Sequence, residues 1–204
     1  MNIEKLNSEL LGKTPEQRVK WALSISKNPI ITTNFRPYEG AILHLVCSTY
    51  KDIPVVWCDT GYNMPNTYSH AFELTEMLDL KIDLFTPLQS TAYREVQMGL
   101  PSVEDANHEE FTYQVKIEPF LRAFEKHKPD LWFTNLRKGQ TQHRDGLGVL
   151  SKGKDGVLKF SPFYDYKDED LDSYLIENKI PNEFKYFDPT KVHADRECGL
   201  HKVL

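Results

Sequence analysis

The sequence predicts an α/β fold: a mostly parallel twisted sheet with helices on both faces. Two observations carry that reading, strands alternating with helices along most of the chain and a β-branched run that reads as a buried strand. A third bounds it: 204 residues, 40% hydrophobic and 12% aromatic, suit one domain (1–204) with a sizeable core. In order, Gln17 to Ser26 reads as a helix, because Val19, Ala22 and Leu23 recur at helical spacing and Trp21 and Ile25 widen the face. Pro29 to Thr33 is the β-branched strand. Gly40 to Tyr50 is an apolar helix, Ile53 to Cys58 a second strand and Asn66 to Leu80 an amphipathic helix. Lys81 to Thr86 alternates as a third strand. Gln114 to Lys126 is a helix, Leu131 to Thr134 a fourth strand and Lys167 to Glu177 a helix. Ser102 to Glu110, acidic and polar, reads as a surface loop, and from Pro181 the regular pattern fades into a flexible tail, about 181–204.

Composition narrows the partners. A net charge of -5 gives no global attraction to nucleic acid or to an anionic membrane, so any anion site must be built from locally clustered bases. No apolar run approaches the roughly 20 residues of a membrane span, and Met1 to Leu6 lacks a signal-peptide layout. Cys47, Cys58 and Cys198 make neither a disulfide framework nor a metal spacing, which suggests a reducing, cytoplasmic setting and no metal site.

In such sheets a ligand lies outside the carboxyl ends of the strands. That rule selects three segments. Thr32-Thr33-Asn34-Phe35 offers hydroxyls and an amide before a helix start, with Arg36 adding charge and Pro37 suiting an early helical position; the plain alternative is a strand-to-helix turn. There is no glycine-rich phosphate loop. Asp59-Thr60-Gly61-Tyr62 follows the second strand. Asp59 is placed either to bond a ribose hydroxyl or to cap a helix, and Tyr62 either to stack on a base or to pack. The stretch from Asn135 to Arg144 gathers Arg137, Lys138, His143 and Arg144 with Gln140 in a net-acidic chain, either a clamp for phosphate or sulfate or a solvated basic turn.

The tail carries Glu197-Cys198-Gly199-Leu200-His201, with His193, Arg196 and Lys202 near the cysteine. Neighbouring positive charge lowers a thiol pKa, and the thiolate is the nucleophile; the alternative is a buried, inert cysteine.

Together Thr32 to Phe35, Pro54 to Tyr62 with Pro65 to Tyr68, Lys116-Ile117-Glu118-Pro119, Leu136 to Arg144 and Glu197 to His201 resemble the assimilatory phosphoadenosine phosphosulfate (PAPS) reductases, over about residues 30–201. The resemblance implies an adenine nucleotide α-hydrolase-like fold. It further implies an enzyme that reduces PAPS to sulfite and adenosine 3′,5′-bisphosphate in sulfate assimilation, through an S-sulfocysteine on Cys198 released by thioredoxin or glutaredoxin. His201, Arg196 and Lys202 would then tune the thiol or neutralise the sulfonate. Lys116, Arg137, Lys138 and Arg144 would meet phosphate and sulfate, and Thr32 to Arg36, Asp59 to Tyr62 and Gln140 would cradle the rest. A homodimer follows only by family analogy.

Three departures from the family pattern stand out: the loop Phe35 to Gly40, in which Glu39 would repel a phosphate; Lys138 where arginine is common; and a short stretch from Ile180 to Glu197. They keep two alternatives open, a cluster-free reductase preferring adenylyl sulfate (APS) and a non-catalytic nucleotide-binding module. An iron–sulfur cluster is not expected, because ligating one takes four thiolates and the chain has three cysteines.

Overall fold

The computed structural model describes residues 2–102, 104–142, 144–153 and 155–190. Its six strands are β1 (Pro29–Thr33), β2 (Val55–Cys58), β3 (Ile82–Phe85), β4 (Leu131–Phe133), β5 (Leu150–Lys152) and β6 (Leu158–Phe160). They form one sheet in the order β3-β2-β1-β4-β6-β5, parallel throughout except for the antiparallel β5–β6 pair. The helices are α1 (Ile3–Leu11), α2 (Pro15–Ile25), α3 (Glu39–Thr49), α4 (Pro65–Leu78), α5 (Thr91–Met98), α6 (His108–Thr112), α7 (Glu118–His127) and α8 (Asp168–Glu177).

Successive strand residues point to opposite faces, and the core divides accordingly. Ile31, Val55, Phe133 and Phe160 share one buried cluster with Val19 of α2, Ala41, Ile42, Leu43, Leu45 and Val46 of α3, Leu74 of α4 and Leu171 of α8. Ile30, Val56 and Trp132 form the opposite cluster with Phe85 and with Phe120 and Phe124 of α7. Helices therefore cover both faces, as the alternating sequence pattern requires.

Several elements differ from the sequence expectation. The second helix starts at Pro15, because Thr14 and Gln17 form a capping box ahead of it. α1 and α5 are short amphipathic helices whose buried residues are only Leu10 and Arg94, too little apolar signal to register. The acidic stretch read as a loop turns helical at His108. A π-helical turn, Tyr113–Ile117, then joins α6 to α7. β5 and β6 are three residues each and escape a period-based reading. The exposed side of edge strand β5 is met by Asn7, whose amide donates to the Leu150 carbonyl at 2.9 Å while its oxygen accepts from the Leu150 N–H at 2.8 Å. Covering an edge in this way blocks intermolecular strand pairing.

Arg18 ties the amino-terminal helices to the far end of the sheet. It is 1% exposed. Its guanidinium donates to the carbonyls of Leu10, Leu11 and Pro162 and forms a two-point pair with Asp165, 2.5 and 3.0 Å. Removing one partner of such a network leaves several buried acceptors unsatisfied. Arg18→Met should therefore lose about 2–4 kcal/mol of stability in urea denaturation, with far-ultraviolet circular dichroism unchanged in buffer.

Candidate active site

The chain order reverses at β1, which lies between β2 and β4. Such a switch point leaves a crevice at the carboxyl ends of the strands. A cleft of about 710 Å³, open to solvent, occupies it, lined by Thr32 and Thr33 at the end of β1, Asn34 just beyond it, and Thr134, Asn135 and Leu136 beyond β4. Val56, Cys58, Phe120 and Trp132 supply an apolar wall, and Arg36, Glu39, Lys116 and Arg144 supply charge.

The β1–α3 loop is shaped by its own hydrogen bonds. Thr33 Oγ1 accepts from the Phe35 N–H at 3.0 Å and Asn34 Oδ1 from the Arg36 N–H at 3.3 Å. Phe35 and Tyr38 sit at φ 53° and 69°, the left-handed region that disfavours side chains. Packing holds them there: Phe35 is buried edge-on to Trp57 at 4.9 Å, and the Tyr38 N–H donates to Asn182 Oδ1 at 2.9 Å. Helix α3 begins at Glu39, two residues beyond Pro37, and no side chain caps it. Arg36 donates through Nε to Glu39 at 2.9 Å and through Nη2 to the Asn135 carbonyl at 3.0 Å. The carboxylate expected to repel a phosphate is thus engaged by the adjacent arginine. Thr32 Oγ1 accepts from Trp132 Nε1 at 2.9 Å, and Asn34 Nδ2 donates to Tyr186 at 2.8 Å.

Lys116 projects from the π-helical turn and is 7% exposed. Its Nζ donates to Asp188 Oδ2 at 2.6 Å and to Thr190 Oγ1 at 3.0 Å. The lysine beside it holds the buried Asp188 carboxyl below the usual range, together with hydrogen bonds from Thr190 and against the effect of burial. Residues 181–190 thus have no helix or strand, yet their last three are pinned to the cleft.

The sequence-selected residues divide. Thr32, Thr33, Asn34, Arg36, Lys116 and Arg144 meet in the cleft. Asp59, Thr60, Gly61 and Tyr62 are not among its lining residues. Asp59 neither caps α4 nor is unoccupied: it accepts from the Gly61 N–H (2.9 Å), Asn63 Nδ2 (2.8 Å) and Tyr68 Oη (2.9 Å), folding its own turn. Thr60 Oγ1 accepts from the Tyr62 N–H at 3.2 Å. Gly61, at φ 78°, has no room for a Cβ, which would lie 2.4 Å from Thr91 Oγ1. Tyr62 packs edge-on against Phe111.

Arg137 also lies outside the cleft lining. It is buried, ion-paired with Asp168 at 2.7 Å and seated over the Tyr38 ring at 5.2 Å. A second attraction therefore commits the guanidinium that sequence assigned to substrate. Lys138 is exposed. Gln140 Oε1 accepts from the Arg137 N–H at 3.1 Å and from Arg144 Nη1 at 2.5 Å, and so braces the arginine that does face the cleft. Arg196, Cys198 and His201, with His193, Lys202 and His143, lie outside the described residues.

Sequence reasoning named Glu39 only as a source of repulsion and Asn135 only as the start of the segment after the fourth strand, and it missed Asp188 and Thr190. Asn135 Oδ1 is a buried acceptor without a partner among the described residues. Its place at the end of β4 was the available signal. Of the thiols described, Cys47 is buried away from the cleft lining and Cys58 is in the cleft wall. Burial pushes both up to about 12, for Cys58 against the pull of Lys116 and Arg122. Among the described residues no group of three or more His, Cys, Asp or Glu is placed to hold a metal ion, and no helix is long and apolar enough to cross a membrane.

Comparison with known proteins places this arrangement. A family model described as a phosphoadenosine phosphosulfate reductase domain matches residues 28–187. The chain is 31% identical over 226 residues to the phosphoadenosine 5′-phosphosulfate reductase of Vibrio atlanticus, covering 99% of this chain and 87% of that one. It is 34% identical over 229 residues to the Xylella fastidiosa protein of the same name, covering 100% and 95%. Among solved structures, a phosphate complex of the PAPS reductase from Candida auris superposes with a TM-score of 0.78 at 24% identity, over 88% of this chain and 87% of that one. An NH3-dependent NAD synthetase from Campylobacter jejuni reaches 0.53 at 11% identity, over 88% and 75%. The fold is adenine nucleotide α-hydrolase-like, and the chain belongs to the phosphoadenosine phosphosulfate reductase family, a family of oxidoreductases.

The Asp188 pair gives stability a defined pH dependence. A carboxyl depressed on folding contributes above its unfolded pKa, about 3.9, and the contribution is lost as pH falls through the folded value. Asp188→Asn should cost about 2–4 kcal/mol at pH 7. The gap from wild type should close below about pH 4, as read from urea midpoints across pH.

Proposed function

We propose that this enzyme reduces PAPS to sulfite and adenosine 3′,5′-bisphosphate, with Cys198 as nucleophile and a thioredoxin or glutaredoxin as reductant in a reducing cytoplasm. Family membership across nearly the whole chain, joined to a cationic cleft at the sheet's switch point, carries this reading. In the first step the Cys198 thiolate attacks the sulfonate sulfur. A sulfur–sulfur bond forms, the bond from sulfur to the 5′-phosphate oxygen breaks, and the nucleotide leaves with that electron pair. A redoxin thiolate then attacks Cys198 Sγ and sulfite leaves with the electrons of the sulfur–sulfur bond. The second redoxin thiol resolves the mixed disulfide, restoring Cys198 and leaving the redoxin oxidised.

The two described cysteines support this assignment by contrast. Thiols pushed up to about 12 are almost wholly protonated at neutral pH, which leaves Cys198 as the cysteine suited to attack. Tethering is compatible too. Thr190 is bonded at the cleft, and the eight residues from there to Cys198 span at most about 26–29 Å. In the cleft, Arg36 and Arg144 would hold phosphate oxygens, and the Asn135 amide oxygen would accept from a ligand N–H or O–H.

Cys198→Ser should abolish sulfite release from PAPS while nucleotide binding persists. Wild type incubated with PAPS and no reductant should carry a sulfonate adduct on the Cys198 peptide in mass spectrometry. An adduct confined to Cys47 or Cys58 would remove the mechanism.

Arg137 and Arg144, both buried, should separate. Arg144→Ala should weaken adenosine 3′,5′-bisphosphate binding by roughly tenfold or more in titration calorimetry, since a charged donor contributes about 1.5–3 kcal/mol. Arg137→Ala should instead lower the unfolding midpoint, because it strips Asp168 and Tyr38 of their partner, with affinity changed about threefold or less.

A further inference from the structure

We infer that Asp188 is a positioning residue for Lys116, fixing the ammonium so that its remaining N–H meets an oxygen of the substrate's sulfonate end. The inference rests on the proposed PAPS reaction. An ammonium carries three donors. Two are taken, by Asp188 Oδ2 and Thr190 Oγ1, and Lys116 has no other partner among the described residues although it lines the cleft. The proton order in the turn is closed. Thr190 Oγ1–H and N–H both donate to Asp188 Oδ1, at 2.6 and 3.0 Å, so the threonine oxygen is left to accept from lysine. A flexible side chain is thereby held in one geometry before the ligand arrives, which is what makes a cation effective at a developing charge.

Two features point to the sulfonate end rather than the nucleotide phosphates. The other cationic side chains of the cleft, Arg36 and Arg144, are planar forks that match phosphate oxygens, whereas lysine is a point charge. The turn that holds Lys116 is also the one from which the chain continues, eight residues on, to Cys198, so the lysine stands where the nucleophile's tether begins.

The test measures affinity for PAPS and for adenosine 3′,5′-bisphosphate by calorimetry in full-length Cys198→Ser protein, which cannot turn over. Adding Asp188→Asn should weaken PAPS binding about tenfold and leave the bisphosphate, which lacks the sulfonate, within about twofold. Lys116→Met should give the same selective loss, the double variant no further loss, and Asp188→Glu a partial recovery. Thr190→Val, which removes the two hydroxyl bonds and keeps the ion pair, should show a smaller loss of the same kind and serves if Asp188→Asn does not fold. Equal weakening of both ligands would mean a purely structural role, and unchanged PAPS affinity or additive losses would equally overturn the inference. A parent protein that binds neither ligand would take the functional reading down as well, whereas failure confined to the variants leaves that reading standing.

Discussion

Strand β1 is the seam on which the molecule is built. From it the chain proceeds to β2 and β3 on one side and later to β4 and β6 on the other. Loops leaving β1 and β4 therefore diverge, and the crevice between them cannot be filled by either. Ile31 is in register with Phe133, so the polar residues two positions on, Thr33 and Asn135, reach the crevice at matching heights. The two buried clusters fix this seam from both faces: Ile31 and Phe133 point into one, Ile30 and Trp132 into the other. The cleft is a by-product of strand order, and its chemistry is decided by what the sequence hangs on those two strand ends.

What hangs there is charge with built-in compensation. The chain is acidic overall, yet among the described residues it gathers three cationic side chains around one cleft. Arg36 shares its charge with Glu39 and Lys116 shares its own with Asp188. Pairing lowers the cost of burying each cation before a ligand arrives, and it fixes where the remaining donors stand. The ion pair of Arg137 with Asp168 uses the same device for a different end, locking the segment after β4 to α8 and leaving Arg144 to face the cleft.

The sheet was legible because its parallel strands are short apolar runs separated by long periodic helices, and because the strand-end rule needs only topology. The same rule selected Thr32, Thr33, Asn34, Arg36 and Arg144, which line the cleft. It also selected Asp59 and Arg137, which lie outside the cleft lining, since position after a strand does not reveal whether a side chain is already bonded in its own turn or to a distant carboxylate such as Asp168. Asp188 and Thr190 were invisible for a related reason. They lie 72 and 74 residues from Lys116, in a stretch without period, and only the folded chain brings them together. The π-helical turn that presents Lys116 is likewise one extra residue in a helical pattern, which periodicity over a dozen residues averages away.

The thiol in the cleft wall shows why burial and charge must be set against each other. Cys58 stands in the cleft wall, and under the proposed reaction a reactive thiolate there would compete with Cys198. Lys116 and Arg122 both favour the thiolate, but burial outweighs them and pushes the group up to about 12. The thiol is then almost wholly protonated at neutral pH. Glu118 adds to this protection, because its carboxylate opposes the two cations at the sulfur. Burial and one nearby carboxylate thus let the cleft gather cations without turning the thiol of its own wall into a nucleophile.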